Sequence, residues 1–177
     1  MKSSTLNTVI AITLVLLGVV LRVLPHPANF APIAAIAIFG GAVLPRKLAV
    51  LVPLGAMILS DAVIGFHNLI LVTWGCYAFI ALMSHMMLKK RSITTTGVFA
   101  VSSSLLFFSV TNFAVWVWSG MYTHTLAGLS QCFILALPFF RNTLLSDIIY
   151  TAVLFGLYAF AVQMAGVVSQ KNNTLSL

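Results

Sequence analysis

The side chains that could do chemistry are few, and they fall near the predicted ends of apolar segments. The chain has 177 residues but only two acidic side chains, Asp61 and Asp147, and its two isolated arginines are Arg22 and Arg141. A carboxylate or a guanidinium is costly inside a bilayer unless it has a partner or water. We therefore predict that Arg22 and Arg141 pair with the two acids. The alternative is that these charges only lock helices together.

Histidine, amide and indole side chains extend this set into a candidate binding pocket. Asn112 and Trp116 are one helical turn apart, so one helix face can both hydrogen-bond and stack. Segment 25–32 contains three prolines, which stiffen it, and it can present His26 and Asn29 beside the free N–H groups that begin the next helix. The alternative is a rigid hairpin in which Asn29 only caps that helix. We predict that a planar, polar-edged ligand meets Arg22, His26, Asn29, Asp61, His67, Asn112, Trp116, Arg141, Asn142 and Asp147.

The composition assigns these residues to a membrane protein. Hydrophobic residues make up 61% of the chain and charged residues 6%, against about 25% charged in soluble domains. A crossing needs about 20 residues, so six crossings fill a single transmembrane domain. The fold class predicted is an all-α integral membrane protein, a six-transmembrane-helix bundle with a short re-entrant or interfacial helix before the last span. The predicted spans are 7–24, 30–44, 48–64, 69–88, 97–118 and 143–168, with the short helix at 125–137 ending at Pro138.

The distribution of cations predicts the orientation. With six crossings, Lys2, Arg46, Lys47, the 89–91 cluster and Lys171 all fall on one side, which is expected to be cytoplasmic. Both termini are then cytoplasmic, and the candidate pocket opens to the outside. The net charge of +7 therefore acts as a topology signal, and nucleic acid is not expected as a partner.

Enzymatic functions have weaker support in the sequence. His26, His67 and His124 could supply three zinc ligands, but they lack the short spacings of known zinc motifs. No nucleophile-elbow or phosphate-binding glycine motif is present, and Ser102 to Ser104 are interpreted as small residues for helix packing. We expect no catalytic residue, resident metal or cofactor. A substrate-binding transport subunit is favoured over an intramembrane metal-dependent enzyme and over a structural or assembly protein, which would not need so many costly polar groups.

Motifs over nearly the whole chain resemble those of a family of small bacterial membrane proteins. They lie at 22–32, 39–41, 60–61, 65–67, 111–116, 126–129 and 136–142. That family resembles the S components of energy-coupling-factor (ECF) vitamin transporters, including solitary cobalamin-type members. The resemblance implies a bundle in the bacterial inner membrane that encloses a vitamin-like molecule and transports it by toppling. Helix one lacks the Ala-x-x-x-Ala face typical of S components that dock on a transmembrane coupling subunit with its ATPases, so this partnership stays open.

The two cysteines, Cys76 and Cys132, lie in apolar sequence without metal-ligand spacing, and we expect them to be buried and unpaired. Some cobalamin-type S components place a cysteine on the helix that follows the Ser-Asp motif. The resemblance thus makes Cys76 a candidate cobalt ligand, which suits a soft sulfur donor, although Trp74 lies closer to the register of that position.

Overall fold

The chain folds into six α-helices in a computed structural model that describes residues 3–88 and 92–175, with side chains from residue 5 to residue 164 outside that gap. The helices are α1 (Ser3–Val23), α2 (Ile33–Val43), α3 (Arg46–Ile64), α4 (Ile70–Met87), α5 (Ile93–Trp118) and α6 (Leu126–Leu175). All but α2 are long and apolar enough to cross a membrane. The architecture is that of a multi-pass helical membrane protein. The predicted cationic positions Lys2 and 89–91 lie outside the described residues.

The short helix α2 is the centre of the bundle. It contacts each of the other five helices, and nine of its eleven residues are buried. Because it is apolar on every side, it is stable only when other helices surround it. Its eleven residues span about 16 Å, which is roughly half of the 30 Å hydrocarbon layer. The predicted span over 30–44 is thus a shorter core helix, preceded by an irregular segment.

A close helix crossing holds the end of α2 against α4. A Cβ atom on Gly41 would overlap the carbonyl oxygen of Ala81 and lie 2.6 Å from the Cβ of Ser84. The absence of a side chain at Gly41 lets the two backbones approach, as small residues do in membrane helices. The Ser84 hydroxyl donates to the Ile38 carbonyl at 2.6 Å, which fixes the register of α2 along α4.

The last helix differs from its prediction. Residues 126–175 form one helix with Pro138 inside it, so the expected break into a short helix and a separate last span is not confirmed. Proline removes one backbone hydrogen bond, but in an apolar setting ending the helix would expose several more unsatisfied groups. Pro53 lies inside α3 for the same reason.

The six helices alternate in direction. The carboxyl ends of α1, α3 and α5 lie at the same end of the bundle as the amino ends of α2 and α4 and the first half of α6. Arg46 and Lys47 begin α3 at the opposite end. The convergence that the sequence predicted is therefore present, while six crossings and cytoplasmic termini stay predictions.

Candidate ligand-binding cavity

A cavity of about 670 Å³ opens at the end of the bundle where the polar residues were expected. Every helix contributes to its wall, together with the segments that follow α1 and α3. The cavity exists because α2 has 11 residues while its neighbour α3 has 19, a difference of about 12 Å in length. The proline-rich segment 24–32 covers this space only in part, and Ile33 at the start of α2 lines the cavity from below.

One wall carries an ion pair between α1 and α3. The Arg22 guanidinium lies 2.6 Å from Asp61 Oδ1 and donates to the Ser60 hydroxyl at 2.5 Å. Trp74 on α4 donates its indole N–H to Asp61 Oδ2 at 2.8 Å. Asp61 is only 1% exposed and lies behind Arg22, which itself lines the cavity. The predicted pairing of Arg22 with Asp61 is confirmed.

Asp147 lies deeper than the sequence suggested, and its partner is different. It is 1% exposed, lines the cavity, and accepts a hydrogen bond from the Ser104 hydroxyl at 2.6 Å. Ser104 is near the midpoint of α5, so the carboxylate lies close to the middle of the bundle. Ser104 had been interpreted as a packing residue; its small size permits the approach, and its hydroxyl also binds the acid.

The predicted pairing of Arg141 with Asp147 is wrong. Arg141 is exposed on α6, and Arg22–Asp61 is the one ion pair among the residues whose side chains the structure describes. The prediction placed Arg141 at the start of a separate last helix, with Asp147 about one turn further on. In a continuous helix, six residues separate the two side chains by about 9 Å along the axis and by about 120°, or one third of a turn, in direction.

Exposed side chains form the mouth of the cavity. His26, Asn29 and His67 line it, and the His26 ring nitrogens lie 2.9 Å and 3.0 Å from the carbonyl oxygens of Pro27 and Arg22. Asn29 adopts a left-handed backbone with φ of 61°, which asparagine tolerates better than most residues. The N-cap of α2 is Pro32, without a side-chain cap, so Asn29 does not cap that helix.

The remaining candidates divide between the cavity and its supports. Asn112 lines the cavity and donates to the Phe108 carbonyl at 2.7 Å. Trp116 lies outside the lining; its indole N–H donates to the Thr123 carbonyl at 3.0 Å, which holds the connection between α5 and α6. Asn142 donates to the Ala28 carbonyl at 2.9 Å and ties α6 to the proline-rich segment. Both Trp116 and Asn142 are therefore placed as supports.

An aromatic wall was missing from the sequence prediction. Tyr77 of α4 and Phe107 of α5 stack with centroids 4.9 Å apart, and the Phe108 and Phe140 rings lie 4.7 Å apart. All four rings line the cavity. Thirteen phenylalanines spread through apolar spans gave no signal that singled these out, because apolar helices carry such residues on every face.

The proposed metal ligands do not come together. Cys76 is buried but is not part of the cavity lining, and Trp74 occupies the position beside Asp61. His124 lies against Trp116, with ring centroids 5.5 Å apart, and it does not line the cavity as His26 and His67 do. Among the described residues, no three His, Cys, Asp or Glu side chains are grouped as metal ligands.

These features define a class of small helical membrane proteins with a polar and aromatic cavity at one end of the bundle. The chain belongs to DUF6580, a family of unknown function, whose model matches residues 2–170. No curated protein and no solved structure matches the chain.

Proposed function

We propose that the protein is a membrane-embedded binding subunit that captures a vitamin-like small molecule for uptake, with no catalytic step. The observation that carries this proposal is the 670 Å³ cavity, whose wall combines the Arg22 and Asp147 side chains with stacked aromatic rings. Sites for drug-sized ligands are concave, usually about 300 to 1,000 Å³, and mostly apolar with a few placed polar groups. The cavity has this size and this mixture.

The cost of the polar groups supports a ligand-binding role over a purely structural one. Asp61 and Asp147 are both 1% exposed, and burying a charge is unfavourable without compensation. Helix packing alone could be achieved with apolar side chains, as the buried α2 demonstrates. A cavity that keeps Arg22, Asn112 and Asp147 at its surface has the groups needed to orient a polar ligand.

The direction of capture follows from the charge bias. Arg46 and Lys47 lie at the end of the bundle opposite the cavity, and cationic loops favour the cytoplasmic side. We infer that the cavity faces outward and that both termini are cytoplasmic in the bacterial inner membrane. The motifs at 22–32 and 111–116 resemble those of a bacterial membrane protein family that is itself similar to ECF S components, and this resemblance supports uptake as the role. A coupling subunit with ATPases is then a candidate partner.

Native mass spectrometry of gently purified protein tests the proposal. We expect wild-type protein to retain a small molecule and the cavity-filling variant Thr111→Phe to lose it, because Thr111 lines the cavity. Trp118→Ala is the matched control, since Trp118 is 66% exposed and lies outside this cavity. Growth of vitamin auxotrophs that lack their own importers provides the transport readout. If wild-type protein retains no molecule and rescues no auxotroph, the proposal is overturned.

A further inference from the structure

When both acidic side chains are ionised, the charges around the cavity do not balance. We propose that the cavity takes an organic cation whose positive charge lies against Asp147. This inference rests on the proposed binding function and names the class of ligand.

The charge imbalance follows from the two carboxylates of the chain. Asp61 and Asp147 are its only acidic side chains, and Asp61 is paired with Arg22 at 2.6 Å. Asp147 is buried at the cavity wall, its hydrogen-bond donor is the neutral Ser104 hydroxyl, and it has no ion-pair partner among the described side chains. When Asp147 is ionised, the cavity with its Arg22–Asp61 pair thus carries one uncompensated negative charge.

Neighbouring groups do not compensate a negative charge on Asp147. The amino end of α2 is close, because the Ser146 hydroxyl lies 3.4 Å from the Ala31 carbonyl, and a helix amino end contributes about half a positive charge. His26 and His67 line the mouth but are exposed, so water screens any charge that they carry. A ligand that carries a full positive charge would compensate the Asp147 carboxylate inside the cavity.

The neighbouring side chains fit an organic cation better than a metal ion. Tyr77 stacks on Phe107 and Phe108 lies against Phe140, and all four line the same cavity as Asp147. Aromatic faces attract cations within about 6 Å of the ring centre. A divalent metal would instead need several oxygen or nitrogen ligands, and the described residues contain no such group.

Matched probes of different charge test the assignment. 1-Methylnicotinamide, nicotinamide and nicotinate share one ring and carry charges of about +1, 0 and −1 near neutral pH. We expect the cation to raise the melting temperature of the purified protein more than the other two, because a ligand that binds the folded state stabilises it. Asp147→Asn keeps an acceptor for Ser104 but removes the charge, and should weaken binding of the cation at least about tenfold.

Thr151→Val is the control variant. Thr151 is buried one turn beyond Asp147 and does not line the cavity, so binding of the cation should be unchanged. The charge of any molecule retained in native mass spectra is a second readout, and a retained cation that Asp147→Asn loses supports the proposal even if the three probes are too small to bind.

Three results would overturn the inference: a retained molecule that is neutral or anionic, equal binding of all three probes, or cation binding that Asp147→Asn leaves intact. In each of these cases a ligand still binds, so the proposed function survives. If no retained molecule and no probe binds wild-type protein, the inference and the proposed function fail together.

Discussion

The ion pair between Arg22 and Asp61 gives a quantitative test of how the cavity wall is stabilised. Arg22→Met would leave Asp61 with only the Trp74 indole as a donor, in a position that is 1% exposed. Removing one partner of a buried pair costs about 3 to 5 kcal/mol. Since the Trp74 hydrogen bond remains, we expect a value near the lower end, about 3 kcal/mol. At about 2 to 4 °C per kcal/mol for a chain of this size, the melting temperature should fall by roughly 6 to 12 °C.

Replacing the acidic partner of the ion pair should reduce stability less than replacing Arg22. Asp61→Asn removes the negative charge but keeps an oxygen that can accept from Trp74, and it leaves a guanidinium whose side chain is 18% exposed and lines the cavity. Water in the cavity can solvate Arg22, so we expect a loss of about 1 to 2 kcal/mol. The double variant buries no unpaired charge. Its loss should therefore be smaller than the sum of the two single losses by about 2 kcal/mol, within the range measured for contacting charges.

The measurement is the free energy of unfolding, in mixed detergent micelles, of the wild type, the two single variants and the double variant. Arg141→Met is the matched control, because Arg141 is exposed and an exposed substitution of this kind is expected to change stability by no more than about 0.5 kcal/mol. The control should also be additive with Asp61→Asn. Strict additivity of Arg22→Met and Asp61→Asn would refute the reasoning, because it would mean that the 2.6 Å contact contributes no coupling.

Further substitutions test the orientation, the helix crossing and the connection beside the cavity. A cysteine introduced by His67→Cys should react with a membrane-impermeant reagent added from outside the cell, and reaction only from the cytoplasmic side would contradict the outward orientation. Gly41→Ala should lower the unfolding free energy by about 1 to 3 kcal/mol, because a Cβ there meets the backbone of α4. Gly75→Ala is its control, since a Cβ at Gly75 meets nothing within 4 Å, and helix propensity then predicts a gain of up to about 1 kcal/mol. Trp116→Phe should speed proteolysis between α5 and α6, because it removes the hydrogen bond to Thr123. Ligand retention in native mass spectra should stay unchanged. Loss of the ligand would instead show that Trp116 belongs to the binding site.

The sequence was sufficient to predict the end of the bundle at which the cavity lies. Polar groups that a bilayer disfavours must face one another or water, and alternating helix directions bring Arg22, Asp61 and Asn112 to the same end. The Trp74 contact was also accessible in principle. Asp61 lies about one turn before the end of α3 and Trp74 about one turn after the start of α4, so an antiparallel hairpin brings the two residues level.

The depth of Asp147 could not be obtained in the same way, because it depends on whether α6 stops at Pro138. A stop there makes Asp147 an outer residue near Arg141, whereas a continuous helix carries it down to Ser104. A proline in a helix interior destabilises the helix by about 3 kcal/mol, and the local sequence contains no helix-forming signal that outweighs this destabilisation. The apolar surroundings keep the helix continuous, since the unsatisfied backbone groups of a broken helix would have no water to bind.

The cavity itself arises from a length mismatch that is visible in the sequence only when packing is known. The apolar stretch before Pro45 has the composition of a short membrane span, yet only Ile33–Val43 is helical. Three prolines lie at or before position 32, and each disfavours helix in the residue that precedes it. The five neighbours of α2 then extend past its amino end, and the space above Ile33 cannot be filled by the stiff segment 24–32. A charged residue facing that space, such as Asp147, keeps it polar. The proline-rich segment therefore shapes the cavity by ending α2 early, in addition to presenting His26 and Asn29 at its mouth.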